Sequence, residues 1–346
     1  MKILVLNAGS SSLKYKLFIN QNLLIEGLIE NITNYHKGIK EVEYKLQKEA
    51  NISNLSSLDV VGHRVVHGGE IFQDSVLITQ EVIDTIKSLI PLAPLHNPAN
   101  LEGILMIAKI APTLKQVAVF DTAFHQTLPP KAYHYALPHE LYQEYGIRRY
   151  GFHGTSHQFV TKEASKILGK KLNETSLITL HLGNGASLSA IKNGKSIDTS
   201  MGFTPLEGLI MGTRSGDIDP AILLYLSREH GYSIEQLDTM LNKKSGLLGI
   251  CHQNDMRQIH SMIKNGNRVA KLALEMFVYR IKKYIGSYYA ILGDVDALVF
   301  TGGIGENDDI SRKLILEGLP FEIPSLVIKT DEELAIALES ERVVKF

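Results

Sequence analysis

Twice along this chain a short apolar strand runs into a turn of small polar residues and out again into a second strand. The first instance is MKILVLNAGSSSLKYKLF, from Met1 to Phe18. Residues 3–6 are continuously apolar, residues 7–12 are small and polar, and residues 13–18 alternate apolar with polar. That pattern predicts strand, turn, strand. Such a turn directs backbone N–H groups and hydroxyls outward, and Lys14 adds a positive charge, a combination suited to a phosphate chain. It is not a P-loop: the Gly-Lys-Ser/Thr ending is absent, and a strand follows where a helix belongs. A plain serine-rich hairpin is the competing reading. The second instance shifts the balance. Residues 177–182 form a strand, Gly183-Asn184-Gly185-Ala186-Ser187 a small polar turn and residues 188–191 a return strand, followed by the hairpin signal Asn193-Gly194. The repetition predicts two similar halves around one nucleotide, alike in pattern rather than in residue identity.

The remaining features set bounds. A chain of 346 residues is long enough for two domains. A net charge of -1 offers no basic surface for nucleic acid. The single cysteine, Cys251, excludes an internal disulfide and a cysteine-based zinc site, and reads as a buried small residue. No apolar run is long enough to span a membrane, and the amino terminus enters a strand without a signal peptide, so a cytoplasmic enzyme is expected. Strands and helices alternate throughout, which predicts α/β architecture.

Between the two hairpins, residues 23–29 read as a strand and 31–57 as a strand plus loop. Val60 and Val61 lead into Gly62-His63-Arg64-Val65-Val66-His67-Gly68-Gly69, where an arginine between two histidines stands at a strand end. Thr79 caps a helix to residue 90, and Asn97-Pro98 opens another to about 110. Residues 117–120 form a buried strand ending in Asp121, the position where open α/β sheets place ligands. His153 precedes a helix capped by Thr155 or Ser156, with Val160, Ala164, Ile167 and Leu168 on one face. Residues 246–257 read as polar loop. A long helix spans 268–292 with Val269, Leu272, Met276 and Ile281 as its core stripe. Residues 297–301 feed Gly302-Gly303-Ile304-Gly305-Glu306-Asn307, a glycine turn without Rossmann spacing. A strand at 326–328 and a helix from Asp331-Glu332-Glu333 to about 340 close the chain.

These motifs resemble the acetokinase family of the acetate and sugar kinase/actin superfamily. The matching stretches are 7–14, 63–69, 94–98, 120–125, 150–157, 181–187, 199–219, 255–257, 301–307 and 331–334, spread over nearly the whole chain. The resemblance implies two domains of a duplicated actin/hexokinase-like (ribonuclease H-like) fold, 1–122 with 331–346 and 123–330, with the active site in the cleft between them. It implies a homodimer that transfers the γ-phosphoryl of ATP to acetate, giving acetyl phosphate and ADP, with Mg2+ or Mn2+. It carries metal roles onto Asn7 and Glu332, and nucleotide contacts onto Lys14, His181-Leu182-Gly183-Asn184-Gly185, Asp255-Met256-Arg257 and Gly303-Ile304-Gly305-Glu306-Asn307. Arg64 becomes the substrate arginine, with Val66, Leu95, Phe152 and Pro205 around the substrate methyl. His153 and Arg214 become transition-state stabilisers and Asp121 the proton donor or acceptor.

Physical chemistry supports most of these roles. Acetate and the γ-phosphate are both anions, and each unit-charge pair at contact costs several kcal/mol, roughly, at intermediate dielectric. Arginine forks and a divalent cation offset that repulsion. A carboxylate nucleophile is already ionised at neutral pH, so Asp121 is expected to orient Mg2+, its waters or an arginine rather than act as a base. The chain is shorter than typical members at 31–59 and 319–327, Met256 replaces the usual aromatic, and Gly302 stands where many members have alanine. A kinase for propionate or another short acid is the near alternative, since one methylene is worth only about 1–3 kcal/mol. A non-catalytic actin-like nucleotide-binding protein is the distant one, and it has no need of Arg64, His153 and Arg214 together.

Overall fold

The computed structural model describes every residue except Ser10, Thr33 and Phe346. The chain divides into two units: Met1–Gln126 with Gly154–Phe159 and Asp331–Phe346, and Thr127–His153 with Val160–Thr330.

The first unit is built on a six-stranded sheet. Its strands are β1 (Lys2–Gly9), β2 (Ser12–Ile19), β3 (Asn22–Glu30), β4 (Val60–Val65), β5 (Val76–Leu77) and β6 (Gln116–Phe120), and its helices are α1 (Tyr35–Ala50), α2 (Gln80–Ser88) and α3 (Asn97–Ile110). The sheet order is β3-β2-β1-β4-β6-β5. Period-two alternation divides the core between the two faces. Leu4, Leu6 and Ala8 of β1 pack with α1 on one face, while Ile3, Val5 and Phe18 meet Ile336 and Ala337 of the C-terminal helix (Glu332–Lys345) on the other. Full burial of each such Leu, Ile or Phe contributes roughly 1.5–3 kcal/mol. Gly62 lets the C-terminal helix approach β4: a Cβ there would lie 2.4 Å from Ser340 Oγ.

The second unit repeats the scheme. After two short helices, α4 (Pro130–Tyr133) and α5 (Glu140–Tyr145), come α6 (Gly154–Ile167), which begins in the first unit, then β7 (Leu177–Leu182), β8 (Ala186–Lys192) and β9 (Lys195–Thr199). They are followed by α7 (Ala221–His230), α8 (Ile234–Lys243), α9 (Gly246–Cys251), α10 (Met256–Lys264), α11 (Arg268–Leu292), β10 (Ala297–Thr301), α12 (Gly302–Asn307), α13 (Asp309–Leu316) and β11 (Ser325–Val327). The sheet order is β9-β8-β7-β10-β11. In each unit a central strand pairs antiparallel with its hairpin partner and parallel with the strand that follows. The β3-β2-β1-β4-β6 order of the first sheet therefore recurs strand for strand in the second. This is the duplicated α/β fold expected from the repeated hairpin.

Several local expectations are corrected. Residues 35–50 form a helix, not a strand: Tyr35, Ile39, Val42 and Leu46 recur at helical spacing and are buried, and Asn34 Oδ1 accepts the Lys37 N–H at 3.3 Å. Asn7, Ala8 and Gly9 continue β1 rather than turning, and Ser12 already belongs to β2; Ser10 lies outside the described residues. Neither Thr155 nor Ser156 caps α6. The helix starts at Gly154, whose N–H donates to the Asp121 carbonyl at 2.9 Å, and His153 sits before it with φ of 56°. Ile167, expected in the core, is exposed. Residues 246–251 and the glycine run 302–307 are short helices rather than loops. On α11 only Ile281 of the expected stripe is buried. Val269, Leu272 and Met276 are exposed, whereas Ala273, Leu274, Phe277, Ile281 and Ile285 are buried. The C-terminal helix continues past 340 to Lys345. Cys251 is buried and free, and no helix among the described residues is long and apolar enough to cross a membrane.

Candidate functional site

In the first unit the carboxyl ends of β4 and β6 bring Arg64 and Asp121 together. Strand alternation turns His63 and Val65 into the core and leaves Arg64 on the opposite face. Its Nε lies 3.1 Å from both Asp121 oxygens and its Nη2 lies 2.7 Å from Oδ2. Asp121 is almost wholly buried. Burial raises its carboxyl above the ordinary value, with Arg64 opposing and Glu332 adding to the rise. Burial likewise works against the Arg64 charge, but Asp121 and then Glu332 outweigh it and hold the guanidinium above its usual pKa. Guanidinium does not deprotonate, and the forked geometry is that of an ion pair.

The histidines flanking Arg64 play no part in this pairing. Burial lowers the pKa of both His63 and His67 to about 4, and His63 Nε2 lies 2.8 Å from Gln116 Oε1. The end of β4 is clamped by α3, whose opening asparagines reach inward. Asn97 accepts the His67 N–H at 3.1 Å and donates to the His67 carbonyl at 3.0 Å. Asn100 accepts the Val66 N–H at 3.1 Å and donates to the Ala8 carbonyl at 2.7 Å. The asparagines were legible as a helix start but not as this clamp. Only their burial reveals it.

The other first-unit candidates lie elsewhere in the same unit. Asn7 faces Lys14 across the β1–β2 ladder. Lys14 Nζ lies 2.6 Å from Glu333, a buried carboxylate that also takes Lys16 at 3.4 Å. Glu332 opens the C-terminal helix. Of the expected apolar contacts, Val66 is buried and Leu95 is exposed.

In the second unit the turn after β7 gathers His153 and Arg214. His153 Nδ1 lies 2.9 Å from Ser187 Oγ, and its ring stacks on His181 at 4.2 Å. A Cβ at Gly185 would lie 3.4 Å from His153 Nε2 and 3.5 Å from Arg214 Nη1, so both reach the same turn. Arg214 Nη1 donates to the Pro205 carbonyl at 3.2 Å. Burial lowers the Arg214 pKa, and among the described residues no carboxylate pairs with it. Phe152 is buried just before His153, and Pro205 is half-buried.

Beside that turn lies a cavity of about 500 Å³. It is lined by Gly183 and Asn184, by Asp255, Met256 and Arg257, and by Gly303, Ile304 and Asn307. These are eight of the residues expected at the nucleotide. Leu182 and Gly305 are buried behind it. Glu306 turns away as a staple, its Oε1 accepting the N–H groups of Gly302 and Thr330 at 3.0 Å each. The cavity also takes in Asn254, His260, Asp308, Asp309 and Ile310, which sequence reading missed. The i, i+4 spacing of Met256 and His260 on α10 was the available signal for one of them. His260 Nε2 lies 2.8 Å from Asp308 Oδ2, joining two walls.

The acetokinase family model matches residues 30–344. An acetate kinase of Sulfurovum sp. (strain NBC37-1) is 52% identical over 392 aligned positions, covering 99% of each chain. The chain belongs to the acetokinase family. Membership makes it a phosphotransferase. Among solved structures, Porphyromonas gingivalis acetate kinase aligns with this acetokinase-family chain at a TM-score of 0.93 and 43% identity, covering 99% of both. A Francisella tularensis propionate kinase does so at 0.93 and 44%, with the same coverage. A ROK hexokinase from Thermus thermophilus, at 13% identity and a TM-score of 0.51, shares the fold alone.

Among the described residues no three His, Cys, Asp or Glu side chains gather as a ready-made metal cage. Mg2+ keeps several waters and takes few protein ligands beside phosphate oxygens, so it does not require such a cage. Asn7 and Glu332 offer hard oxygen donors of the right kind.

Proposed function

We propose that this chain transfers the γ-phosphoryl group of ATP to acetate, reversibly, giving acetyl phosphate and ADP. The observation that carries the reading is Arg214: a half-buried guanidinium without a carboxylate partner among the described residues, set with His153 at the Gly185 turn. A desolvated cation lacking a counter-charge is costly, and an anionic ligand relieves that cost.

An acetate oxygen attacks the γ-phosphorus in line. The bond from phosphorus to the β-phosphate oxygen breaks and its electron pair leaves with ADP. No proton moves, because the attacking carboxylate is already ionised. Arg64 spends Nε and Nη2 on Asp121, which leaves Nη1 for the substrate carboxylate. Asp121 therefore orients an arginine. In the tautomer with the proton on Nε2, His153 Nδ1 accepts from Ser187 Oγ and Nε2 donates to an equatorial oxygen of the transferring group, whose charge Arg214 balances. Asn7 and Glu332 would hold Mg2+, with Mn2+ as a substitute, and the ion neutralises phosphate charge when bound. The cavity beside Gly183 receives the nucleoside. Val66, Leu95, Phe152 and Pro205 border the substrate methyl.

Propionate is the second reading. The solved propionate kinase is as similar in fold and identity as the solved acetate kinase, but the Sulfurovum acetate kinase is more similar in sequence than either, which favours acetate. We further propose a homodimer. Leu224 and Tyr225 of α7 and Val269, Leu272 and Met276 of α11 expose apolar surface that a second copy would cover.

The test is hydroxamate trapping of the acyl phosphate with ATP, Mg2+ and each acid in turn. Acetyl hydroxamate is expected, with propionate giving a lower kcat/KM. A higher kcat/KM for propionate moves the assignment to the second reading, and no acyl phosphate from either acid overturns both.

A further inference from the structure

Between β9 and α7 the chain runs through residues 200–217 without a helix or strand, yet this stretch carries both Pro205 and Arg214. A loop this long holds a guanidinium in place only if its own backbone is tied down. Arg149 does most of the tying. Its Nη1 donates to three successive carbonyls, those of Thr199 at 2.9 Å, Ser200 at 3.3 Å and Met201 at 3.0 Å. Its Nη2 donates to Glu207 Oε1 at 2.6 Å. The other Glu207 oxygen accepts the Tyr135 hydroxyl, and that hydroxyl accepts the Phe203 N–H at 2.9 Å. Gly202 is wedged among these groups, and its carbonyl accepts the N–H groups of Tyr150 and Gly151 at 3.1 and 3.2 Å. Those two residues lead directly into Phe152 and His153. One ion pair thus fastens the entry of the Arg214 loop and the approach to His153.

The far end of the loop is closed separately. Asp217 Oδ1 accepts the Gly208 N–H at 2.7 Å, Oδ2 accepts the Tyr284 hydroxyl at 2.9 Å, and Arg280 donates to the carbonyls of Gly208 and Asp217. Arg214 therefore projects from a segment pinned at 199–207 and again at 208–217, and its own Nη1 rests on the Pro205 carbonyl, two residues from Glu207.

We propose that the Arg149–Glu207 pair positions Arg214 and His153 for phosphoryl transfer without itself touching the substrate. The proposal rests on the reading of Arg214 as the residue that balances charge on the transferring group. Removing the pair loosens the geometry that is used in the transition state, while none of the residues the pair ties directly lines the nucleotide cavity. The signature is therefore a loss in kcat with little change in KM for ATP.

The test is a cycle of Glu207→Gln, Arg214→Ala and the double variant, each checked for an unchanged unfolding midpoint. Glu207→Gln keeps one acceptor, for Arg149, turns an NH2 toward the Tyr135 hydroxyl and removes the charge. Arg149→Lys, which keeps the charge but cannot span three carbonyls and Glu207, serves as the second variant. We expect Glu207→Gln and Arg149→Lys to lower kcat by about tenfold or more with KM for ATP changed less than about threefold, and Glu207→Gln to cost little further once Arg214 is alanine. If Arg214→Ala is crippled but the two positioning variants turn over normally, or if the loss from Glu207→Gln multiplies fully with that from Arg214→Ala, the positioning role is wrong. If Arg214→Ala itself turns over normally, the underlying reading of Arg214 fails instead.

Discussion

Asp121 takes Arg64 by its Nε and Nη2 together, at 3.1 and 2.7 Å, at the carboxyl ends of neighbouring parallel strands. The carboxylate is nearly inaccessible and engaged by the arginine, a poor station for a general base and a good one for aiming a guanidinium.

Asp121→Asn should accordingly lower turnover about a hundredfold and raise KM for acetate, because an amide presents one acceptor where the fork needs two. Excess Mg2+ should not restore it. A Mg2+ titration at saturating ATP checks this, and full recovery would reassign Asp121 to the metal.

Asn97→Ala strips partners from two buried backbone groups of His67. Each unsatisfied group costs about 1–3 kcal/mol, so a loss of roughly 2–6 kcal/mol is expected by urea unfolding. A change under about 0.5 kcal/mol would mean that water replaces the side chain.

His63 and His67 make stability depend on pH. Each is held near pKa 4 in the folded chain against an ordinary value of 6.5, so the unfolded state binds more protons between those limits. Their contribution is fully present above pH 6.5 and is lost as pH falls toward 4. The slope approaches about 1.4 kcal/mol per pH unit for each histidine. Urea midpoints measured from pH 7 to 4.5 should show the decline, and His63→Gln should flatten part of it.

Gly212→Ala would place a Cβ 1.9 Å from Asn184 Oδ1 and 3.3 Å from the Asn184 carbonyl. The Asn184 side chain must swing aside and its carbonyl give by a few tenths of an ångström, which disturbs one wall of the cavity beside Gly183. KM for ATP should rise about tenfold while KM for acetate changes less than about threefold, read by initial rates with each substrate varied.

The repeated hairpin was legible because its strands are short, apolar and bounded by small polar residues, and the sheet order follows from it. The pairing of Arg64 with Asp121 was partly legible, since both close strands. What escaped had physical causes. The helix at 35–50 hides its four large buried side chains among lysines and glutamates, so its apolar spacing is sparse. On α11 both faces carry apolar side chains, and the small Ala270 and Ala273 mark the buried one better than the larger Val269 and Leu272. Asn254, His260 and Asp308 join the cavity only through the meeting of α10 with the α12–α13 region, a contact that no local pattern announces. The tie from Arg149 to Glu207 spans residues far apart in sequence that share no motif.

The proposed reaction requires fixed guanidinium groups to bring acetate and the γ-phosphate together despite their like charge. Turnover of Arg64→Ala and Arg214→Ala in the acetate-dependent hydroxamate assay tests it most directly. Each should fall at least about a hundredfold, equivalent to about 3 kcal/mol of lost charge stabilisation. Rates within about threefold of the native enzyme in either variant would contradict the claim.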